Sequence, residues 1–282
     1  MSVAVAQEER EFHLDDKEFR YLADLVKKQT GIVLADHKKN MVYSRLVRRL
    51  RALQLAGFDE YCALLESKRS NHEMGMFINA ITTNLTRFFR EPHHFDHLAE
   101  QLKTQFEDAP TATRIRIWSA GCSSGEEPYS IAMTAADSLP RLAAFDFRIL
   151  ATDLDTSMVS HASAGRYELR DSDGLSKVHL AKWTMRERGG NGFTVKPGLR
   201  ERITFKQLNL LHEWPMKGKF DAIFCRNVMI YFDGPTKDRL LDRFADMLAP
   251  GGWLYIGHSE TILEQRDRFT PMGKTIYRKA GS

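Results

Sequence analysis

From Asp15 to about Leu85 the apolar residues recur at spacings of three and four, the period of a helix with one buried face. Phe19, Leu22, Leu25 and Val26 make one such set, and Val42, Leu46, Leu50 and Leu53 make another. Gly31 is placed to stop the first helix, and Asp59 to cap a short one through Tyr61, Leu64 and Leu65. Asn71 opens a further run through Met74, Phe77, Ile78 and Ile81. The spacing predicts a small bundle of about four helices over residues 1–83. After Pro92 short apolar runs alternate with helical ones, the mark of a parallel sheet covered by helices. Strands are expected at Arg114–Ser119, Phe147–Thr152, Ile203–Gln207, Phe220–Cys225, Gly252–Ile256 and Thr275–Arg278. Helices fit Glu126–Leu139, Asp155–Ala164 and Pro235–Leu248. Residues 165–202 break the alternation and predict an insertion holding a helix and a small antiparallel hairpin.

Composition narrows this picture without changing it. The chain has 282 residues, 43% apolar and 28% charged, which is globular rather than disordered composition. Apolar runs of a few residues predict no membrane span, and the opening MSVAVAQEER, acidic within eight residues, predicts no secretory signal. Cys62, Cys122 and Cys225 are odd in number and far apart, so neither a disulfide framework nor a metal site is expected, and a reducing, cytoplasmic location follows. The net charge of +4 excludes little; its distribution says more.

The chemistry-bearing residues gather at expected strand ends. Ile115–Ser119 runs into Ala120-Gly121-Cys122-Ser123-Ser124-Gly125 and a helix opening Glu126-Glu127-Pro128. Small residues there let a ligand approach the backbone. Two carboxylates would repel phosphate, the run lacks a phosphate-loop Lys, and the dinucleotide glycine spacing is incomplete. A ribose ligand with a cationic or zwitterionic group fits better; the alternative is an ordinary turn whose acids serve the helix dipole. The next strand ends in Asp153, placed to accept ribose hydroxyls, with Asp155 as a helix cap. Phe220–Cys225 emerges at Arg226-Asn227, followed by Tyr231, and both polar side chains must find partners, a ligand among the candidates. A polar-aromatic linker over residues 84–95 packs between domains or folds over a pocket mouth.

Five segments in order, Asn84-Leu-Thr-Arg-Phe-Phe-Arg90, Gly121-Cys-Ser-Ser-Gly-Glu-Glu-Pro-Tyr129, Thr152-Asp-Leu-Asp155, Arg226-Asn-Val-Met-Ile-Tyr-Phe232 and Gly257-His-Ser-Glu260, resemble the CheR family of bacterial chemotaxis receptor methyltransferases. The resemblance runs from about Gly31 to the last strand. It implies a Rossmann-like methyltransferase domain over 96–282 behind an N-terminal helical domain, with an inserted antiparallel β-subdomain. It further implies a protein-glutamate O-methyltransferase that uses S-adenosyl-L-methionine, yields S-adenosyl-L-homocysteine and acts on cytoplasmic helices of chemoreceptors. By resemblance the donor contacts fall on Asn84, Thr86, Arg90, Gly121, Glu127, Asp153, Asn209, Leu210, Arg226 and Asn227, with Tyr231 beside them. The residues alone did not point to Asn209 and Leu210, and left Glu126 and Glu127 as equals. A glutamate carboxylate is already nucleophilic at neutral pH, so orientation suffices and no strong base is needed. Arg90 and Tyr231 are the expected groups beside the reacting centre.

From His37 through Phe58 lie six basic residues and no acid. Lys38, Arg45, Arg48 and Arg49 share a helix face opposite the apolar one. A solvated face is the plain reading; with the resemblance it becomes a docking surface for an acidic receptor helix. Nucleic acid is not expected as a partner, because no aromatic platform accompanies the charge. In some members of the family the β-subdomain also takes up a receptor's C-terminal peptide as an added strand. The short connection Arg186–Gly192 argues against that here. The turn Gly257-His258-Ser259-Glu260 reads as a strand end with a Ser cap, His93 and His94 as linker residues, and no metal is expected. A base-methylating enzyme is disfavoured, since Arg226-Asn227-Val228 stands where an Asn-Pro-Pro-Tyr type of loop would be. A non-catalytic donor-binding module is disfavoured because Arg90, Asp153, Asn227 and Tyr231 are all present. A monomer that meets membranes only through receptors is expected.

Overall fold

The computed structural model describes residues 10–67, 71–262 and 267–281, so the reading of the first nine residues lies outside it. The chain forms two compact units, Met1–Thr82 and Thr83–Ser282. The first contains α1 (Asp16–Thr30), α2 (Lys39–Leu53), α3 (Phe58–Glu66) and α4 (Asn71–Ile81). Asp15 and Glu18 exchange backbone amide bonds of 2.6 and 2.7 Å, a capping box that starts α1. Gly31, at φ 76°, stops it. The α3 cap is Gly57 rather than Asp59; Asp59 sits one residue inside the helix, where an acid still favours the dipole. Phe19, Leu22, Val42, Leu46, Leu50, Phe58, Tyr61 and Phe77 interlock as this unit's core.

The second unit continues with α5 (His93–Phe106), β1 (Arg114–Ala120), α6 (Glu126–Ser138), β2 (Asp146–Asp153) and α7 (Thr156–Ala164). Then come β3 (Arg166–Glu168), α8 (Lys177–Trp183), β4 (Thr184–Arg186), β5 (Gly192–Val195), α9 (Pro197–Arg200), β6 (Ile203–Gln207) and β7 (Phe220–Cys225). It closes with α10 (Gly234–Met247), β8 (Leu248–Ile256), β9 (Phe269–Gly273) and β10 (Ile276–Lys279). Helix α5 takes the last three residues of the expected linker.

The main sheet has the order β6-β2-β1-β7-β8-β10-β9, parallel from β6 to β8 and antiparallel across β10 and β9. Such strands are covered on both faces, which is why Ile115, Ile117, Trp118, Ile149, Ala151, Ile223 and Phe224 are all buried. The chain leaves β1 toward β2 and β6 and returns to β7 on the other side of β1. That switch point, at the carboxyl ends of β1 and β7, is where an open parallel sheet takes its ligand. Two expectations are corrected. Strand β8 begins at Leu248 rather than Gly252, with a register shift between Phe220 and Ala222 of its neighbour. Strand β9 escaped notice because Pro271 and Gly273 read as breakers, yet both are tolerated on an edge strand.

The insertion holds a three-stranded antiparallel sheet, β3-β5-β4, in place of a simple hairpin. The third strand, β3, is only three residues long and shows too little alternation to read. Its Tyr167 stacks on Phe193 at 5.7 Å and donates its hydroxyl to the Ser124 carbonyl at 2.8 Å. The insertion therefore buttresses the turn after β1.

Candidate active site

At the end of β1 the amides of Gly121 and Cys122 both donate to the Thr152 carbonyl, at 2.8 and 2.9 Å. Gly121 and Gly125 have φ of 94° and 101°, where a side chain is strained. A Cβ on Gly121 would strike the Val228 side chain, and one on Gly125 would lie 2.8 Å from Ala162 and Tyr167. The glycines thus make room for protein neighbours, whereas the sequence suggested room for a ligand. Ser123, at φ 48°, turns its amide onto Asp153 Oδ2 at 2.7 Å.

Asp153 is 9% exposed, and its other oxygen accepts the Asp155 amide at 2.9 Å. Its two oxygens together offer about four acceptor sites, more than these amides use. Burial raises its pKa while those amides oppose the shift. Asp155 caps α7 and accepts Asn84 Nδ2 at 2.8 Å, and the Asn84 carbonyl accepts Ser123 Oγ at 3.0 Å. The linker is thereby tied to the ends of both β1 and β2.

The ambiguity between the two acids opening α6 is resolved by their partners. Glu126 accepts only the nearby Ser124 hydroxyl among its described side-chain partners, at 2.7 and 3.0 Å. Glu127 accepts Ser119 Oγ at 2.7 Å and Arg226 Nη1 at 3.2 Å, across the switch point. Burial raises the pKa of both, and for Glu127 the Arg226 charge works against the rise. Arg226 does not reach into open space. Its side chain is 2% exposed, its Nη2 lies 3.4 Å from Glu91 and also donates to the Arg90 carbonyl, and its guanidinium carbon is 5.5 Å from the Phe95 ring centre.

Burial would raise the pKa of Glu91, but Arg226 and His258 outweigh it and hold the carboxyl below its usual range. Glu91, His93 and His94 bring possible ligand atoms within 4.8 Å of one another, whereas the sequence had His93 and His94 as surface or linker residues with no metal expected. A metal ion there would face the Arg226 guanidinium that already neutralises Glu91.

Arg90 and Thr86 are half-buried on the linker, and Arg90 Nη1 donates to the Leu85 carbonyl at 2.9 Å. Asn209 and Leu210 follow β6; the Leu208 amide donates to the Asp153 carbonyl at 2.9 Å, which holds that segment beside the β2 end. Asn209 Oδ1 accepts the Leu211 amide at 2.9 Å, and Leu210 is buried. Asn227 sits at φ 58°, and Tyr231 is half-buried in a short 3-10 turn, Met229–Tyr231. Sequence reasoning missed Ser119, Glu91 and Glu260. For Glu91 a signal existed: an Arg buried at a strand end requires acids, and Glu91 stands in the linker. For Glu260 the signal was its place in the family-like segment Gly257-His-Ser-Glu260, which read as a strand end with a Ser cap.

In the helical unit the basic face is not uniformly free. Arg49 forks onto Glu73 at 3.0 and 2.5 Å, with Tyr61 hydroxyl on the same carboxylate at 2.8 Å. Arg45 donates to the carbonyls of Ile81 and Thr82, at 2.5 and 2.9 Å. These two hold the unit together, because α4 brings an acid and its own carboxyl end against α2. Lys38 and Arg48 remain exposed.

Comparison with known proteins agrees with this division. A family model described as CheR methyltransferase, SAM binding domain, matches residues 84–278, and one described as CheR methyltransferase, all-alpha domain, matches 17–82. The chain is 45% identical over 277 residues to a chemotaxis protein methyltransferase of Klebsiella aerogenes, covering 97% of this chain and 93% of that protein. It is 45% identical over 267 residues to that of Escherichia coli K12, covering 94% and 91%. A chemotaxis protein methyltransferase 2 of Pseudomonas aeruginosa is 42% identical over 276 residues, covering 96% of each.

Proposed function

The chain belongs to the CheR methyltransferase family, with an all-alpha domain and an S-adenosylmethionine-binding domain, and from that premise we propose that it methylates glutamate side chains on the cytoplasmic helices of chemoreceptors. The observation that carries the reading is that two bonded groups, Asn84 with Asp155 and Ser123 around Asp153, and Glu127 with Arg226, stand at or just past the carboxyl ends of β1, β2 and β7, where an open parallel sheet takes its ligand.

The chemistry of these residues fits S-adenosylmethionine. Asp153 retains acceptor capacity suited to ribose hydroxyls, and Glu127 supplies negative charge suited to an ammonium group. Asn84, Thr86, Asn209, Leu210 and Asn227 are the further donor contacts on this reading. The donor supplies a methyl carbon on positively charged sulfur; its transfer forms an oxygen–carbon bond and leaves a neutral thioether.

Arg90 and Tyr231 orient the incoming carboxylate, Arg90 in bidentate fashion. Holding the reacting atoms in line is then the main catalytic effect, and no residue needs to remove a proton. The docking surface for the acidic receptor helix narrows to Lys38 and Arg48, since Arg45 and Arg49 have partners within their own unit.

The test is methyl transfer from labelled S-adenosylmethionine to a receptor cytoplasmic fragment, followed by alkali. Label released as volatile methanol is expected, as a carboxyl ester requires. Label that stays bound after alkali refutes the reading.

A further inference from the structure

Glu260 has no place in the donor set above, yet it is 5% exposed and lies in the turn directly after β8. Its Oε2 accepts the amides of Gly257 at 2.5 Å and Asn227 at 3.0 Å, and its Oε1 accepts the amide of Ile230 at 3.1 Å. Two of these amides belong to the loop after β7, one on the residue held at φ 58° and one beside Tyr231. A second observation is independent of the carboxylate. A Cβ on Gly257 would lie 2.8 Å from the Asn227 amide nitrogen, so the turn is built to let that loop approach. Ser259, the expected cap, is exposed instead.

We propose that Glu260 is a positioning residue for methyl transfer, whose carboxylate holds Asn227 in the geometry that binds the donor and, through the same loop, fixes the turn that carries Tyr231. The inference rests on the donor site proposed above. A left-handed Asn followed by a single 3-10 turn has few bonds of its own to define it. Three amides converging on one carboxylate supply that definition, and only an ionised carboxylate offers acceptors on both oxygens with no competing donor.

The experiment compares wild type with Glu260→Gln and Glu260→Asp by calorimetric binding of S-adenosylhomocysteine and by methylation kinetics. In Glu260→Gln an amide N–H₂ must face at least one backbone N–H. The donor Kd and KM should rise roughly tenfold to a hundredfold, while the receptor KM stays unchanged. Glu260→Asp keeps both acceptors on a shorter arm and should recover part of the affinity. Should Glu260→Gln fail to fold by circular dichroism, Glu260→Asp decides: donor binding weaker than wild type supports the proposal, and binding equal to wild type overturns it. A folded Glu260→Gln protein with wild-type donor affinity also overturns it, with the donor site left standing. Wild type that binds no S-adenosylhomocysteine overturns the donor site itself, and this inference with it.

Discussion

Replacing Arg226 by Met keeps an unbranched apolar stem but removes the guanidinium, the only cation shown between Glu127 and Glu91 among the described residues. Three contacts vanish together, to Glu127 at 3.2 Å, to Glu91 at 3.4 Å and to the Arg90 carbonyl. Both carboxylates are nearly enclosed, with side-chain exposures of 10% and 11%, so water cannot replace the guanidinium without opening the site. Removing one partner from such a buried pair costs about 3–5 kcal/mol. That is a large share of a typical domain stability of about 5–15 kcal/mol. Most of the loss is the stranded charge, so adding Glu127→Gln to the Met variant should restore about 1–3 kcal/mol. In the wild-type background the same Glu127→Gln change should destabilise, because it removes a charged acceptor from Arg226. The assay is urea unfolding followed by tryptophan fluorescence. All four tryptophans, Trp118, Trp183, Trp214 and Trp253, lie in the unit that starts at Thr83, so the signal reports this unit alone. A loss under about 1 kcal/mol for Arg226→Met, or a double variant less stable than Arg226→Met, would refute the reasoning.

Burial, reinforced by the Arg226 charge, holds His94 down to about 3 from its ordinary 6.5. A base depressed on folding favours the native state above its unfolded value and loses that contribution as pH falls from 6.5 toward 3. Between about pH 7 and about pH 5 the loss is about 2 kcal/mol, and His94→Gln should remove it; equal pH slopes for the two proteins count against the argument. Charge reversal at Lys38 and Arg48 should raise the receptor KM and flatten its salt dependence, with stability changed by no more than about 0.5 kcal/mol. Salt-series kinetics that match wild type exclude this docking surface. Tyr231→Phe should lower kcat while donor affinity, measured by calorimetry, holds; an unchanged kcat removes Tyr231 from the reacting centre.

Much of the local structure was legible because its causes are local. Asp155 caps α7 with its own side chain, and Gly31 ends α1 at a φ that glycine adopts freely. The helical spacing of Val42, Leu46 and Leu50 identified the buried face of α2. What was not legible shares one cause. Arg45 and Arg49 look solvated on a helical wheel, and only the approach of α4 gives them Glu73 and two carbonyls. Arg226 at a strand end requires partners, and only the sheet and the linker together show that Glu127 and Glu91 supply them.

What the chain by itself determined is most of the elements, though not α5, β3 or β9, together with the family to which its motifs are tied and the strand ends where chemistry gathers. Periodicity, caps and glycine turns depend on neighbours within a few residues, so the order of residues contains them. What only the tertiary structure decided is which charge meets which. Glu127 and Arg226 are 99 residues apart in sequence, and Glu260 reaches Asn227 across 33. No periodicity encodes such a meeting. It arises because strand order brings β1, β7 and β8 side by side, and because a buried charge must find its partner within that geometry.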